Sequence, residues 1–186
     1  PGRVRFLSDE ERKKLLESCR NNRSANLYPL VVLTLSTGMR RSEVLWLTWE
    51  QVELSKGVLF LHQTKNQQPR RVAVRGLALE VLQAHAKVRR IDTNLVFPGE
   101  KTYRTGHPFE LQIYWREAVK DAGLKNFRFH DLRHSCASYL AMEGASLLEI
   151  AEVLGHKTLQ MVKRYSHLAE SHTAGVVERM NRRIFG

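Results

Sequence analysis

Only two stretches of this 186-residue chain carry the signature of β-structure. GVLFLHQ (57–63) and RRVAV (70–74) are rich in β-branched or aromatic residues, and they flank the polar tip TKNQQP (64–69). That leaves one hairpin in an otherwise helical chain, a mainly α, α+β class with a small β-hairpin or sheet.

The helices are marked by their ends. Ser8 and Glu11 form a capping box, and Leu15, Leu16 and Cys19 supply one apolar face behind it. A second helix is predicted from about Ala25 to Thr37, with Pro29 tolerable in its first turn and Gly38 as its stop. Its run LVVLTL marks it as central and buried. A short helix over Arg41–Leu47 precedes the hairpin. Further helices are predicted at Leu77–Arg90, Pro108–Ala122 (stopped by Gly123), Asp131–Glu143 (stopped by Gly144), Leu147–Leu154, Thr158–Leu168 and His172–Ile184. Ser146 and Glu149 make a second capping box. No repeat, low-complexity tract or composition shift marks a second domain.

Thirty Lys+Arg against 19 Asp+Glu leave +11, with a pI near 10.1. With 42% hydrophobic and 26% charged residues the chain is globular, so this charge sits on a folded surface. It points first to nucleic acid, then to an anionic membrane or another acidic partner. Cys19 and Cys136 cannot build a disulfide framework, and no Cys-x-x-Cys suggests zinc or redox chemistry, which fits a reducing compartment. The longest apolar stretch, Tyr28–Leu35, is far short of the roughly 18 residues of a membrane span. The first residues lack a signal segment, and Pro1 in place of an initiator Met suggests a trimmed chain.

Three clusters carry candidate chemistry, each with a plainer reading beside it. In TGMRRSEVLWLTW, Arg40 stands at a helix–helix corner where it can face a ligand, and Glu43 can orient it; an ordinary surface Arg–Glu pair fits the spacing as well. In FRFHDLRHSCASYL, His130 and Arg133 share one face of a helix N-terminus, which already favours an anion. That is a phosphate clamp, or a capped helix with solvated basic residues. In LGHKTLQMVKRYSHL, His156 follows Gly155, and Tyr165 lies among Lys163, Arg164 and His167. A core tyrosine is the ordinary reading; a phenol among cations is instead predicted to favour the phenolate and to act as a nucleophile. Lys65, at the hairpin tip, is either a solvated turn lysine or a proton donor within reach of DNA.

Taken in order, these clusters resemble the catalytic domain of the tyrosine recombinase (phage integrase) family. TGMR gives Arg40, the acidic residue three positions on gives Glu43, and the Thr-Lys hairpin segment gives Lys65. HDLRH gives His130 and Arg133, Leu-Gly-His gives His156, and RYSH places Tyr165 nine residues beyond that histidine. Gln51 departs from the family's frequent Asp, and Met161-Val162 from a frequent Thr pair. The resemblance implies a fold related to type IB topoisomerases, a linker arm at 1–7, a catalytic domain over 8–168 and a C-terminal helix at 169–186. It also implies that the family's N-terminal DNA-clamping domain is absent from this chain.

The resemblance further implies a mechanism that needs neither metal, ATP nor any other cofactor. Tyr165 would attack the scissile phosphorus to give a 3′-phosphotyrosyl link. Arg40, Arg133 and His156 would stabilise the transition state, Lys65 would protonate the leaving 5′-oxygen, and His130 would act as general base. Arg41, Arg71, Arg128 and Lys157 would grip DNA phosphates. The implied partner is double-stranded DNA, held by a homotetramer on two duplexes that is monomeric without DNA, with accessory DNA-bending proteins and no membrane. The setting would be the cytoplasm, on the nucleoid. Val176, Val177, Met180 and Ile184 lie at helical spacing in the tail, which would either fold onto its own core or dock on a neighbouring protomer. A strand-resealing topoisomerase and a catalytically silent DNA-binding module are the rival readings.

Overall fold

A computed structural model describes residues 4–61, 69–99, 106–156, 158–168 and 170–186, with 170–173 described by their backbone alone. Eight α-helices lie among these residues: α1 (Asp9–Asn21), α2 (Leu27–Thr37), α3 (Arg41–Leu45), α4 (Gly76–Ala86), α5 (Leu111–Asp121), α6 (Asp131–Met142), α7 (Leu147–Leu154) and α8 (Glu170–Phe185). Three strands, β1 (Val52–Glu53), β2 (Val58–Leu61) and β3 (Arg70–Ala73), form an antiparallel sheet in the order β1-β2-β3. The β2–β3 register runs from Val58↔Ala73 to Leu61↔Arg70. The mainly α, α+β class is therefore what forms. Among the described residues no helix is long and apolar enough to cross a membrane.

The predicted caps explain where the helices stop and start. Ser8 accepts from Glu11 N–H at 3.2 Å while Glu11 accepts from Ser8 N–H at 3.1 Å, and Ser146 with Glu149 repeats the arrangement. α2 is buried along nearly its whole length and packs against α1, α4 and α6, so its low amphipathicity is that of a central helix. Gly38 ends it at φ 63°, and Gly155 ends α7 at the same φ. At Gly155 the N–H groups of Gly155 and His156 reach back to the carbonyls of Glu152 and Ala151, the paired bonds of a Schellman motif.

Five expectations are corrected. The third helix ends at Leu45, because Leu47 and Thr48 are drawn into pairing with 95–96: Val96 N–H donates to Leu47 at 2.8 Å. The fourth ends at Ala86, not at Arg90. The fifth begins at Leu111, since Pro108 bridges Pro98 and Phe109 N–H donates to Phe97. β1 adds a third strand to the hairpin. Last, 158–168 is two 3-10 helices, Leu159–Met161 and Lys163–Leu168. Val162, between the two, and Tyr165 and Leu168 of the second follow at three-residue spacing and all pack in one apolar cluster.

The apolar residues form two clusters. The larger joins α1–α6 and the sheet around Leu30, Val31, Leu47, Leu59 and Phe97. The smaller consists of Ala137, Ala141, Ile150, Ala151, Leu154, Val162 and Tyr165, flanked by Val4 and Leu168. The segment before α1 is fixed against α6: Leu7 N–H donates to Ser135 Oγ at 3.0 Å, and Tyr139 Oη donates to the Leu7 carbonyl at 2.9 Å.

Candidate active site

The site forms where the C-terminal ends of α2 and α7 meet the start of α6. Helix ends carry unsatisfied carbonyls and partial negative charge. Arg133 uses both. Its Nη1 donates to the Gly38 carbonyl at 2.6 Å and its Nη2 to the Leu154 carbonyl at 2.8 Å. The side chain is buried, and burial, followed by the neighbouring Arg40 charge, lowers its pKa to about 10, which leaves it charged at neutral pH. The two helix-ending glycines permit this closeness. A Cβ on Gly38 would stand 2.3 Å from Leu154 Cδ2, and one on Gly155 would stand 2.7 Å from the Arg70 side chain.

Arg40 reaches the same place from the N-terminus of α3. Its Nη2 donates to the Gly155 carbonyl at 3.3 Å, and its N–H and Nη1 donate to Glu43 at 2.8 and 3.0 Å. Glu43 is not half of a solvated surface pair. Its side chain is only 6% exposed, and Arg70, at the start of β3, grips both of its oxygens at 2.7 and 2.9 Å. Burial pushes the Glu43 carboxyl upward, but the Arg70 and Arg40 hydrogen bonds outweigh it and hold the group below the usual carboxylate range. Arg70 is a site residue that the motif spacing does not reveal. It joins the hairpin to Glu43 and covers Gly155, immediately before His156.

His156 is held by the Schellman turn, with its Nδ1 buried and without a hydrogen-bond partner among the described residues. Burial, then Arg133 and Arg40, lower its pKa to about 4, so the ring is neutral. His130 opens α6; its pKa is lowered by burial and by Arg133. Its ring stands edge-on to that of His134, with centroids 5.1 Å apart.

Tyr165 is 2% exposed, and its hydroxyl lies 2.6 Å from His134 Nδ1. The expectation of a phenol tuned toward phenolate by nearby cations is overturned. Arg164 and Arg133 do favour the charged form, but burial is the larger effect and raises the pKa. This tyrosine is a protonated core residue.

The structure thus brings Arg40, Glu43, Arg133 and His156 together, with His130 and Tyr165 along α6. Lys65 and Lys157 lie outside the described residues. Of the remaining expected phosphate contacts, Arg41 and Arg128 line an open groove of about 760 Å³ beside His130, together with Arg116, Lys120 and Trp115. Arg116 and Lys120 stand one turn apart on α5, so both face the groove. Arg71 does not line this groove; it projects from the sheet, its guanidinium 5.4 Å from the Phe60 ring centroid. Gln51 bonds Thr48 and the Phe60 carbonyl, so its departure from the family pattern falls on packing. Among the described residues no group of three or more His, Cys, Asp or Glu is placed to hold a metal ion.

Solved structures share this arrangement of elements. The catalytic domain of bacteriophage HP1 integrase is 29% identical and aligns with a TM-score of 0.73 over 95% of each chain. XerH site-specific recombinase bound to difH in a pre-cleavage complex is 25% identical, with a TM-score of 0.70 over 91% of this chain and 52% of that one. The fold is that of tyrosine recombinase catalytic domains. Sequence comparison gives the same assignment: the phage integrase family matches residues 5–172, and the chain belongs to that family. Among relatives, the integrase of Salmonella phage P22 is 33% identical over 184 residues, covering 91% of this chain and 45% of its own. The chain spans less than half the length of that relative.

Proposed function

We propose that this chain cuts and rejoins DNA strands in site-specific recombination, with Tyr165 as the nucleophile and a 3′-phosphotyrosyl ester as the intermediate. The observation that carries the reading is the convergence of Arg40, Arg133 and His156 on the ends of α2 and α7. Two guanidiniums are oriented there by carbonyls and by Glu43, groups of the protein itself. Preorganised positive charge of this kind suits a pentavalent phosphorane, whose extra negative charge develops on the non-bridging oxygens. Lys65 supplies the proton for the departing 5′-oxygen, and the ester conserves the bond energy for attack by a partner strand's 5′-hydroxyl. Neither metal nor ATP enters this scheme. The complex of XerH site-specific recombinase with its difH substrate supports DNA as the substrate.

In this reading residues 8–168 are the catalytic domain, and 1–7 are the arm by which a DNA-clamping domain would join it. Strand exchange needs four active sites, hence a tetramer on two duplexes. α8 leaves Val176, Val177, Met180 and Ile184 about half exposed, an apolar face suited to a neighbouring protomer. Incubation with nicked suicide duplexes tests the chemistry: a denaturation-resistant protein–DNA adduct is expected, and Tyr165→Phe abolishes it. No adduct, or one that persists in Tyr165→Phe, refutes the reading. Truncation after Leu168 is expected to abolish synapsis and to leave the adduct on single duplexes; unchanged synapsis refutes the exchange of α8.

A further inference from the structure

The group in contact with the Tyr165 hydroxyl is not His130. No hydrogen bond joins His130 to Tyr165 among the described residues, whereas His134 Nδ1 lies 2.6 Å from the hydroxyl oxygen. A buried phenol needs an acceptor for its proton, and an imidazole nitrogen is an acceptor only when it carries no proton itself. His134 meets that condition. Burial, then the adjacent His130, push its pKa down to about 4, leaving a neutral ring. With Nδ1 accepting, the ring's one proton sits on Nε2.

We propose that His134 is the residue that orients the Tyr165 hydroxyl and takes its proton during attack, a role that rests on Tyr165 being the nucleophile. As the Oη–P bond forms and the P–O5′ bond breaks, the phenolic proton passes to His134 Nδ1. The 5′-oxygen takes a different proton, from Lys65. On rejoining, the 5′-hydroxyl attacks and returns its proton to Lys65, the P–Oη bond breaks, and the released tyrosinate recovers its own proton from His134. The titratable and charged groups acting on this pair are His130 just before α6, Asp131, Arg133 and Cys136 from α6, and Arg164 from the 3-10 helix that carries the tyrosine. Asp131 favours the imidazolium that forms; His130, Arg133 and Arg164 disfavour it and so return the proton when the ester is resealed. His130, edge-on to His134, remains free to meet the phosphate.

His134→Asn tests the role, because the asparagine amide oxygen can accept a hydrogen bond near the Nδ1 position but cannot hold the proton. The probe is a pool of nicked suicide duplexes of randomised sequence, with adduct formation timed for the wild-type chain, Tyr165→Phe and His134→Asn. The wild-type rate is expected to stay level from about pH 6 to 8. The His134→Asn rate is expected to fall by about 100-fold or more at neutral pH and to climb about tenfold per pH unit, with DNA retention unchanged. A His134→Asn rate within about threefold of wild type, with the same pH profile, overturns the proposal. Absence of adduct from the wild-type chain sinks the nucleophile reading and this role together, so the two failures are distinguishable. Should His134→Asn fail to fold, the imidazole ¹⁵N spectrum of the wild-type chain decides. An unprotonated Nδ1 whose shift changes in Tyr165→Phe supports the assignment, and an Nδ1–H tautomer overturns it.

Discussion

Glu43→Ala removes the one carboxylate that Arg40 and Arg70 share, and its cost can be worked from the geometry. Four hydrogen bonds are lost, at 2.7 to 3.0 Å, and two guanidiniums are left side by side. Breaking a buried pair costs about 3–5 kcal/mol, because a buried charge loses its counter-charge. The lower end applies, because the Arg40 side chain keeps 27% of its surface in water and Arg70 14%. About 3 kcal/mol in a chain of this size corresponds to a fall in melting temperature of about 6–12 °C, read by circular dichroism at neutral pH. Adding Arg70→Met to Glu43→Ala should recover part of the loss, a coupling of about 1–2 kcal/mol, because it removes one of two neighbouring like charges. The pH dependence has a definite sign. The folded carboxyl is held below its unfolded range, so its contribution is present above the unfolded value and disappears as pH falls through the folded one. The gap between wild type and Glu43→Gln should therefore close below about pH 4. A fall of less than about 2 °C for Glu43→Ala, or strict additivity with Arg70→Met, would refute the view that Glu43 anchors both arginines.

Gly155→Ala forces a side chain into the left-handed region, with its Cβ 2.7 Å from Arg70, and should cost about 2 kcal/mol in a urea midpoint measurement; a neutral effect contradicts the packing around Arg70. His134 and His156 bind protons more weakly folded than unfolded, so stability is expected to drop as pH falls from about 6.5 toward 4. Both rings are partly solvated, which limits the effect to roughly 1 kcal/mol each, and urea midpoints that do not move between about pH 7 and 5 would exclude it. Arg128→Ala should lower the slope of log K against log salt for duplex binding by about one, and an unchanged slope would remove the groove from the phosphate grip.

The parts of the site legible in sequence are those set by local backbone chemistry. Gly38 and Gly155 stop two helices, and the turns they make place Arg40 and His156 directly. Arg133 is legible because it lies one turn into α6. Arg70 and His134 are not, since their partners lie 27 and 31 residues away and only tertiary packing brings them together. The electrostatics of Tyr165 escape the sequence for a related reason. Lys163 and Arg164 are visible there as neighbouring charges, whereas the desolvation that dominates comes from α6 and α7. Pairing by Leu47, Pro108 and Phe109 cuts short the helical periodicity that the apolar spacing alone supports.

The division of the interior into two apolar clusters bears on how Tyr165, the nucleophile of the proposed scheme, becomes available. The cluster around Tyr165 is small, and three of its seven buried members are alanines, which bring little apolar area to hold it shut. Cooperative units with so little buried surface open at a lower free energy than the molecule as a whole. The small cluster that carries Tyr165 is therefore expected to open before α1, α2, α4, α5 and the sheet do. On the proposed reading, a phenol sealed in so small a cluster reaches a phosphate by local opening, at less cost than global unfolding.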